Sequence, residues 1–371
     1  WTSLIAGYAD CGLTEEVFDC FNIMMLKESI APNASTFANV LKACRASGAI
    51  NRGLEMHTMV NIAGFERDPF VASMLVDMYA IHGSLEEAQD VFDHLHVKNL
   101  VSWTALISGY ANHGFNENAL INVELMQMYG IFPDATAYVC IVKACGNLGA
   151  IDTAQDIHIS LIKVGLIGNA TLCMENRSRV CELDCTESIL CNALVDMYSK
   201  CGKMADAQNV FETTSEQTLV VWNALISGYA LQGEPELSLL LFHQMKGAGV
   251  RPDAVTYVSI LTACNHVGLV NKGILYIEEM TKVYDIHPNL EHYNCIIDLV
   301  ARAGQLSNAI IMSIAIPFQP DVVTWITILG ACRKWSDTEI GRHAFEYVVS
   351  LDEKHLAAFV LMSNIYLDTH V

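Results

Sequence analysis

The feature that most limits what this chain can fold into is a segment that keeps returning. WTSLIAGYADCG at Trp1, WTALISGYANHG at Trp103 and WNALISGYALQG at Trp222 are near copies, and WITILGACRKW at Trp325 is a weaker one. The tryptophans stand 102, 119 and 103 residues apart. Self-similarity at a fixed short period means a repeat architecture, in which one small unit is stacked many times.

A finer ruler runs inside these copies. Glycines recur at Gly12, Gly48, Gly83, Gly114, Gly149, Gly202, Gly233, Gly268 and Gly304, in steps of 36, 35, 31, 35, 53, 31, 35 and 36. The step of 53 is 35 plus an 18-residue insertion, Ala170–Glu187, so the units follow one another in a long, long, short order. Apolar residues fall at helical spacing on both sides of each glycine, as in Leu106, Ile107 and Tyr110, then Ala119, Leu120 and Met126. Each unit reads as helix, glycine turn, helix. Pro32, Pro133, Pro252, Pro288 and Pro320 each precede the Asn or Asp that ends a unit, where proline stops a helix and Asn or Asp suits a turn. No segment alternates as a strand would. One hairpin cannot bury its apolar faces alone. The expected fold is therefore all-α, a right-handed superhelical solenoid of tandem helix-turn-helix repeats whose first helices line the inner face. The polar insertion at 170–187 is expected to be a loop.

Composition supports that fold and narrows the function. A hydrophobic content of 52% supplies a continuous core, while no apolar run is long and unbroken enough to span a bilayer. Acidic residues outnumber basic ones 41 to 21, and the formal charge of −20 argues against indiscriminate phosphate binding. Of 13 cysteines, Cys44, Cys145, Cys264 and Cys332 follow Ala in the same context, KAC, KAC, TAC and GAC. Cysteines in register read as small core residues of a reducing compartment. Cys173, Cys181, Cys185 and Cys191 lie close in sequence, but their spacing of eight, four and six fits no common zinc module. Neither a metal nor a cofactor is expected. There is no Gly-rich phosphate loop and no grouping of nucleophile and base, so the chain reads as a non-enzyme.

The repeats resemble the pentatricopeptide repeat family, and within it the plant subgroup that alternates three repeat lengths termed P, L and S. WTSLIAGY, SWTALISGY and VWNALISGY are P-like, FANVLKAC, YVCIVKAC and YVSILTAC are L-like, and SMLVDMYAIHG and NALVDMYSKCG are S-like. Residues 1–321 are read as these repeats. The segment 322–371, with WITILGAC, GRHAFEYVV and FVLMSNIY, resembles an incomplete E-type extension of organellar RNA editing factors. The resemblance implies single-stranded RNA binding at one base per repeat, each base selected by one residue early in the first helix and one at the repeat's end. Carried over, the pairs are Thr2 with Asn33, Ser73 with Asn99, Thr104 with Asp134, Asn192 with Thr218, Asn223 with Asp253, and Asn294 with Asp321. Thr or Ser with Asn implies adenine, Thr with Asp guanine and Asn with Asp uracil, while Asn192 with Thr218 implies only a pyrimidine. The L-like pairs, Ala38 with Asp68, Val139 with Asn169 and Val258 with Asn289, depart from the pattern and are assigned no base.

Four positions beyond the early selector, Lys42 and Lys143 are placed to contact phosphate or simply to be solvated. The S-like units carry Asp77, Asp196 and Asp298 there, which repel phosphate or pair with a neighbouring cation. No His has Glu two residues on and no PCxxC occurs, so any cytidine deaminase must be supplied by another part of the protein or another chain. The resemblance implies a mitochondrial or chloroplast location, with any targeting segment outside these residues. A reading from a different class stays open: a helical-repeat scaffold that binds basic peptides or protein partners, favoured by the acidic balance.

Overall fold

The structure, a computed structural model, describes residues 1–167, 180–214 and 216–369, without the side chains of 180–186 and 369. It divides into two compact units, Trp1–Cys201 and Gly202–Val371. The first holds five hairpins, α1 (Thr2–Asp10) with α2 (Thr14–Asn22), α3 (Ala34–Ser47) with α4 (Ile50–Ile62), α5 (Pro69–Ile81) with α6 (Leu85–His94), α7 (Leu100–Asn112) with α8 (Asn116–Met128), and α9 (Ala135–Leu148) with α10 (Ile151–Val164). It ends in α11 (Val180–Lys200). The second opens with α12 (Met204–Thr213). Four hairpins follow, α13 (Leu219–Leu231) with α14 (Pro235–Gly247), α15 (Ala254–Val267) with α16 (Val270–Lys282), α17 (Leu290–Arg302) with α18 (Leu306–Ala315), and α19 (Val322–Trp335) with α20 (Thr338–Leu351). α21 (Leu356–Thr369) closes it. Among the described residues there is no strand, and no helix is long and apolar enough to cross a membrane.

The stacking follows from where each helix keeps its apolar residues. Within each unit every first helix packs on the first helix of the next hairpin, α1 on α3, α3 on α5, α5 on α7 and α7 on α9, then α13 on α15, α15 on α17 and α17 on α19. Second helices pack on their own first helix and on the next one, and no two successive second helices make a comparable contact. Within each unit first helices thus form a close row, with second helices filling the grooves behind it. Residues 322–369 continue the stack through α19, α20 and α21.

The recurring glycine is the residue that turns the chain between the two helices. Gly48 (φ 69°) and Gly149 (φ 67°) cap α3 and α9 in the left-handed region that L side chains avoid. At the end of α19 Ser336 holds that place at φ 53°. A different glycine permits close packing: a Cβ on Gly109 of α7 would lie 2.6 Å from Cβ of Ala80 on α5. Between the helices, Trp103 packs edge-on against Phe92 at 4.5 Å, and Trp222 repeats the contact against Phe211 at 4.6 Å. Cys44, Cys145, Cys264 and Cys332 are fully buried, in keeping with their register, and burial pushes their thiols up to about 12, 12, 11 and 12.

One expectation is corrected. The insertion is not a loop throughout, because α11 begins at Val180 and its first turns take up residues 180–187. No Gly or Pro interrupts VCELDCTESILCN, so nothing stops the helix from extending backwards from its packed half. Asn169, Cys173 and the side chains of Cys181 and Cys185 lie outside the described residues.

Candidate nucleic-acid interface

In five of the expected pairs, all but Asn192 with Thr218, the two residues come from neighbouring first helices of one unit. The early member is the fifth residue of its helix in Ser73, Thr104, Asn223 and Asn294, and the first in Thr2, where the chain begins. The late member is the N-cap of the following first helix: Asn33 for α3, Asn99 for α7, Asp134 for α9, Asp253 for α15 and Asp321 for α19. Because those helices lie side by side, residues about 30 apart in sequence become neighbours.

The bonds within the pairs differ. Asn223 Nδ2 donates to Asp253 Oδ1 at 3.0 Å. Asn294 Nδ2 donates to Asp321 Oδ1 and Thr104 Oγ1 to Asp134 Oδ1, both at the longer distance of 3.4 Å. Asn99 Nδ2 donates to Ser73 Oγ at 3.2 Å, while Ser73 spends its own proton on the carbonyl of Pro69 at 2.6 Å. Thr2 and Asn33 do not bond directly. Both reach Thr36 Oγ1, each at 2.9 Å. Asn192 sits on α11 in the first unit and Thr218 is the N-cap of α13 in the second.

The late residue therefore has two tasks. Its Oδ1 accepts the N–H of the third helical residue, from Thr36 to Asn33 at 2.9 Å, Ser102 to Asn99 at 2.8 Å, Ala137 to Asp134 at 2.9 Å, Thr256 to Asp253 at 2.9 Å and Thr324 to Asp321 at 2.8 Å. That N–H has no partner within the helix, and Asn and Asp are the side chains that satisfy it best. Among the described residues, no bond to Asp134, Asp253 or Asp321 uses Oδ2. In the L-like units Asp68 and Asn289 cap α5 and α17 in the same way opposite the apolar Ala38 and Val258.

In each unit, cations along the first helices are largely held by carboxylates. Lys42 Nζ pairs with Asp10 at 2.6 Å, and Lys143 Nζ donates to Asn112 Oδ1 at 3.1 Å. Asp77 pairs with Arg45 at 3.0 Å, Asp196 with Lys200 at 2.6 Å and Asp298 with Arg302 at 2.7 Å. Pairing with neighbouring cations is thus what the three aspartates do. Burial pushes the Asp77 carboxyl up, opposed by Arg45. Each unit also has a hollow along its first helices. One of about 650 Å³ is lined by Asn294, Asp298, His266, Arg302 and Lys334, and one of about 300 Å³ by Lys42, Arg45, Phe70 and Met74.

Three elements of this surface escape a reading of the sequence. Arg302 and Lys334 join the larger hollow only through the register of α17 against α19. The buried hydroxyls of Thr36, Thr256 and Thr324 were signalled by the spacing of a capping box, Asn or Asp followed three residues later by Thr. His292 holds the corresponding place in α17, bonded to Asn289 and to the carbonyl of Ala254, and burial lowers its pKa.

Comparison with known proteins places this architecture. Residues 217–266 match the PPR repeat family, residues 1–28 and 189–213 the PPR repeat, and residues 85–148 the pentatricopeptide repeat domain. A mitochondrial pentatricopeptide repeat-containing protein of Arabidopsis thaliana is 32% identical over 99% of this chain and 54% of its own length. A chloroplastic one from the same plant is 34% identical over 99% of this chain and 41% of its own. The chain spans about half the length of the curated relatives it matches. Among solved structures, the pentatricopeptide repeat protein PPR10 in complex with an 18-nt psaJ RNA element aligns with a TM-score of 0.72 at 16% identity, over 99% of this chain and 57% of that one. PPR10 from maize gives 0.57 at 19% identity, over 100% and 61%. At such identities the likeness is one of fold. The family matches and the extended identity together show that the chain belongs to the pentatricopeptide repeat family.

Proposed function

We propose that this chain binds single-stranded RNA sequence-specifically, one base per repeat, as the non-catalytic address of an organellar editing or transcript-processing factor. The observation that carries the reading is the recurrence of polar pairs at one place, a side chain early in a first helix beside the N-cap of the next. A short donor or acceptor on a rigid helix meets a base edge at little entropic cost. Selection falls to Thr2 and Asn33, Ser73 and Asn99, Thr104 and Asp134, Asn192 and Thr218, Asn223 and Asp253, and Asn294 and Asp321, with Lys42 and Lys143 on phosphate. Assignment to the P-L-S subgroup, with an E-type extension at 322–371, rests on the motif order, and a deaminase would then act from another domain or chain. The mitochondrial and chloroplastic names of the relatives support an organellar location.

The expected order from 5′ to 3′ is adenine, any, adenine, guanine, any, pyrimidine, uracil, any, uracil. Titration at low salt of that RNA and a scrambled one should separate them by about tenfold or more, the worth of one or two selecting hydrogen bonds. The formal charge of −20 favours the rival reading, a scaffold for basic partners. Equal binding of both RNAs, or binding of a basic peptide with none of either RNA, would put that scaffold in its place.

A further inference from the structure

In three of the five closely described pairs the selectors do not stand alone. The third residue of the following first helix puts a hydroxyl between them: Thr36, Thr256 and Thr324, each with 0% exposure. Thr256 Oγ1 lies 2.6 Å from Asn223 Oδ1 and 2.8 Å from Asp253 Oδ1, and accepts the N–H of Asp253 at 3.1 Å. Thr324 repeats this at 2.6 Å from Asn294 Oδ1 and 2.8 Å from Asp321 Oδ1. The other two pairs lack the link. Ala137 has no hydroxyl, and Ser102 Oγ turns to the backbone carbonyl of Asn99 at 2.9 Å.

Counting protons shows what the link does. Asp253 is a carboxylate and only accepts, so Asn223 must turn its Nδ2 toward Asp253 and its Oδ1 toward the Thr256 hydroxyl. What remains for a ligand is one Nδ2–H donor beside the open Oδ2 acceptor. Uracil offers the complement, an N3–H flanked by carbonyl oxygens, whereas the N3 lone pair of cytosine would face the carboxylate. In the first pair Thr36 gives its proton to Asn33 Oδ1, and Thr2, at 2.9 Å, must then donate inward to Thr36. Thr2 is left with lone pairs and Asn33 with an NH₂. That pattern complements the N6–H₂ and N1 of adenine.

We propose that Thr36, Thr256 and Thr324 are positioning residues for base selection, each fixing which atom of the preceding repeat's pair donates and which accepts. The proposal rests on the RNA reading above. It makes a repeat's preference depend on three residues, the third belonging to its neighbour. It also ranks the repeats, with linked pairs discriminating more sharply than Ser73 with Asn99 or Thr104 with Asp134.

Thr256→Val removes the hydroxyl at nearly constant volume, and Thr256→Ser keeps it. Two measurements on the full chain separate the roles. The first is ¹⁵N relaxation of the Asn223 side-chain amide without RNA. The second is the ratio of Kd values for RNAs that differ only by uracil or cytosine opposite that repeat. In the Val variant the amide should loosen and the ratio should fall about five- to tenfold, one lost hydrogen bond, while Ser restores both. Thr324→Val should act alike, on the Asn294 amide and the base opposite that repeat, and serves where Thr256→Val fails to fold. An amide as ordered in the Val variant as in the wild type overturns the proposal. So does an equal loss of affinity for both RNAs with the ratio unchanged. If the wild type prefers no base at either position although the amide loosens, it is the RNA reading that fails, and base positioning falls with it.

Discussion

At the residue scale the pairs hold chemistry that a single substitution should redirect. Asn223→Thr beside the unchanged Asp253 should turn a preference for uracil into one for guanine at that base alone. The expected change is about five- to a hundredfold, the range of one selecting hydrogen bond, read by titration with RNAs varied at that position. A loss spread evenly over all bases would instead mean a damaged helix. That residues such as Asn223 and Asp253 would stand together was expected only through the resemblance, since nothing in spacing alone singles out position five. The capping role of the late residue is local, reaching an N–H three residues on, whereas the ion pair between Lys42 and Asp10 was not legible. That pair depends on how one hairpin registers against the next, 32 residues away.

At the element scale the glycines separate into two kinds. Those of the ruler serve the turn, and their period exposed the fold because few other residues take a positive φ cheaply. Gly109 serves contact. Glycine to alanine inside a helix ordinarily stabilises by about 1 kcal/mol. At Gly109 the added methyl would meet Ala80 Cβ at 2.6 Å, so α5 and α7 must part. Gly109→Ala should destabilise the first unit by about 1–3 kcal/mol, the usual cost of overpacking, visible as a lower urea midpoint. A rise would mean the row of first helices yields easily. The start of α11 was misread for a different reason: its polar first turns carry no apolar period, and only the absence of a stop signal could have revealed them.

At the scale of the whole molecule, charge governs how RNA binding should respond to salt. With 41 acidic and 21 basic residues, and Lys42, Arg45 and Arg302 already facing carboxylates, few phosphates can be neutralised. Each contact contributes about −0.7 to the slope of log K against log salt for a single strand. Contacts by Lys42 and Lys143 alone give about −1.4. Lys42→Ala and Lys143→Ala should each remove about 0.7 and weaken matched and scrambled RNAs alike. An unchanged slope in both variants would take the two lysines off the phosphate path. The tandem helical hairpins were legible at this scale because stacking leaves its period on every unit.

If the N-cap also selects a base, its double duty limits the vocabulary in which such a chain can be addressed. Any new letter at Asn33 or Asp253 must also begin a helix, and only Asn, Asp, Ser, Thr and Gly do that well. An Asp-to-Asn exchange changes the face offered to a base while leaving the helix start intact, so new specificities can arise by drift with little penalty in folding. A bulky or apolar letter would cost about 1 kcal/mol at each repeat before any ligand was met. On the RNA reading, the dictionary of this chain would be set first by the helix and only then by the base.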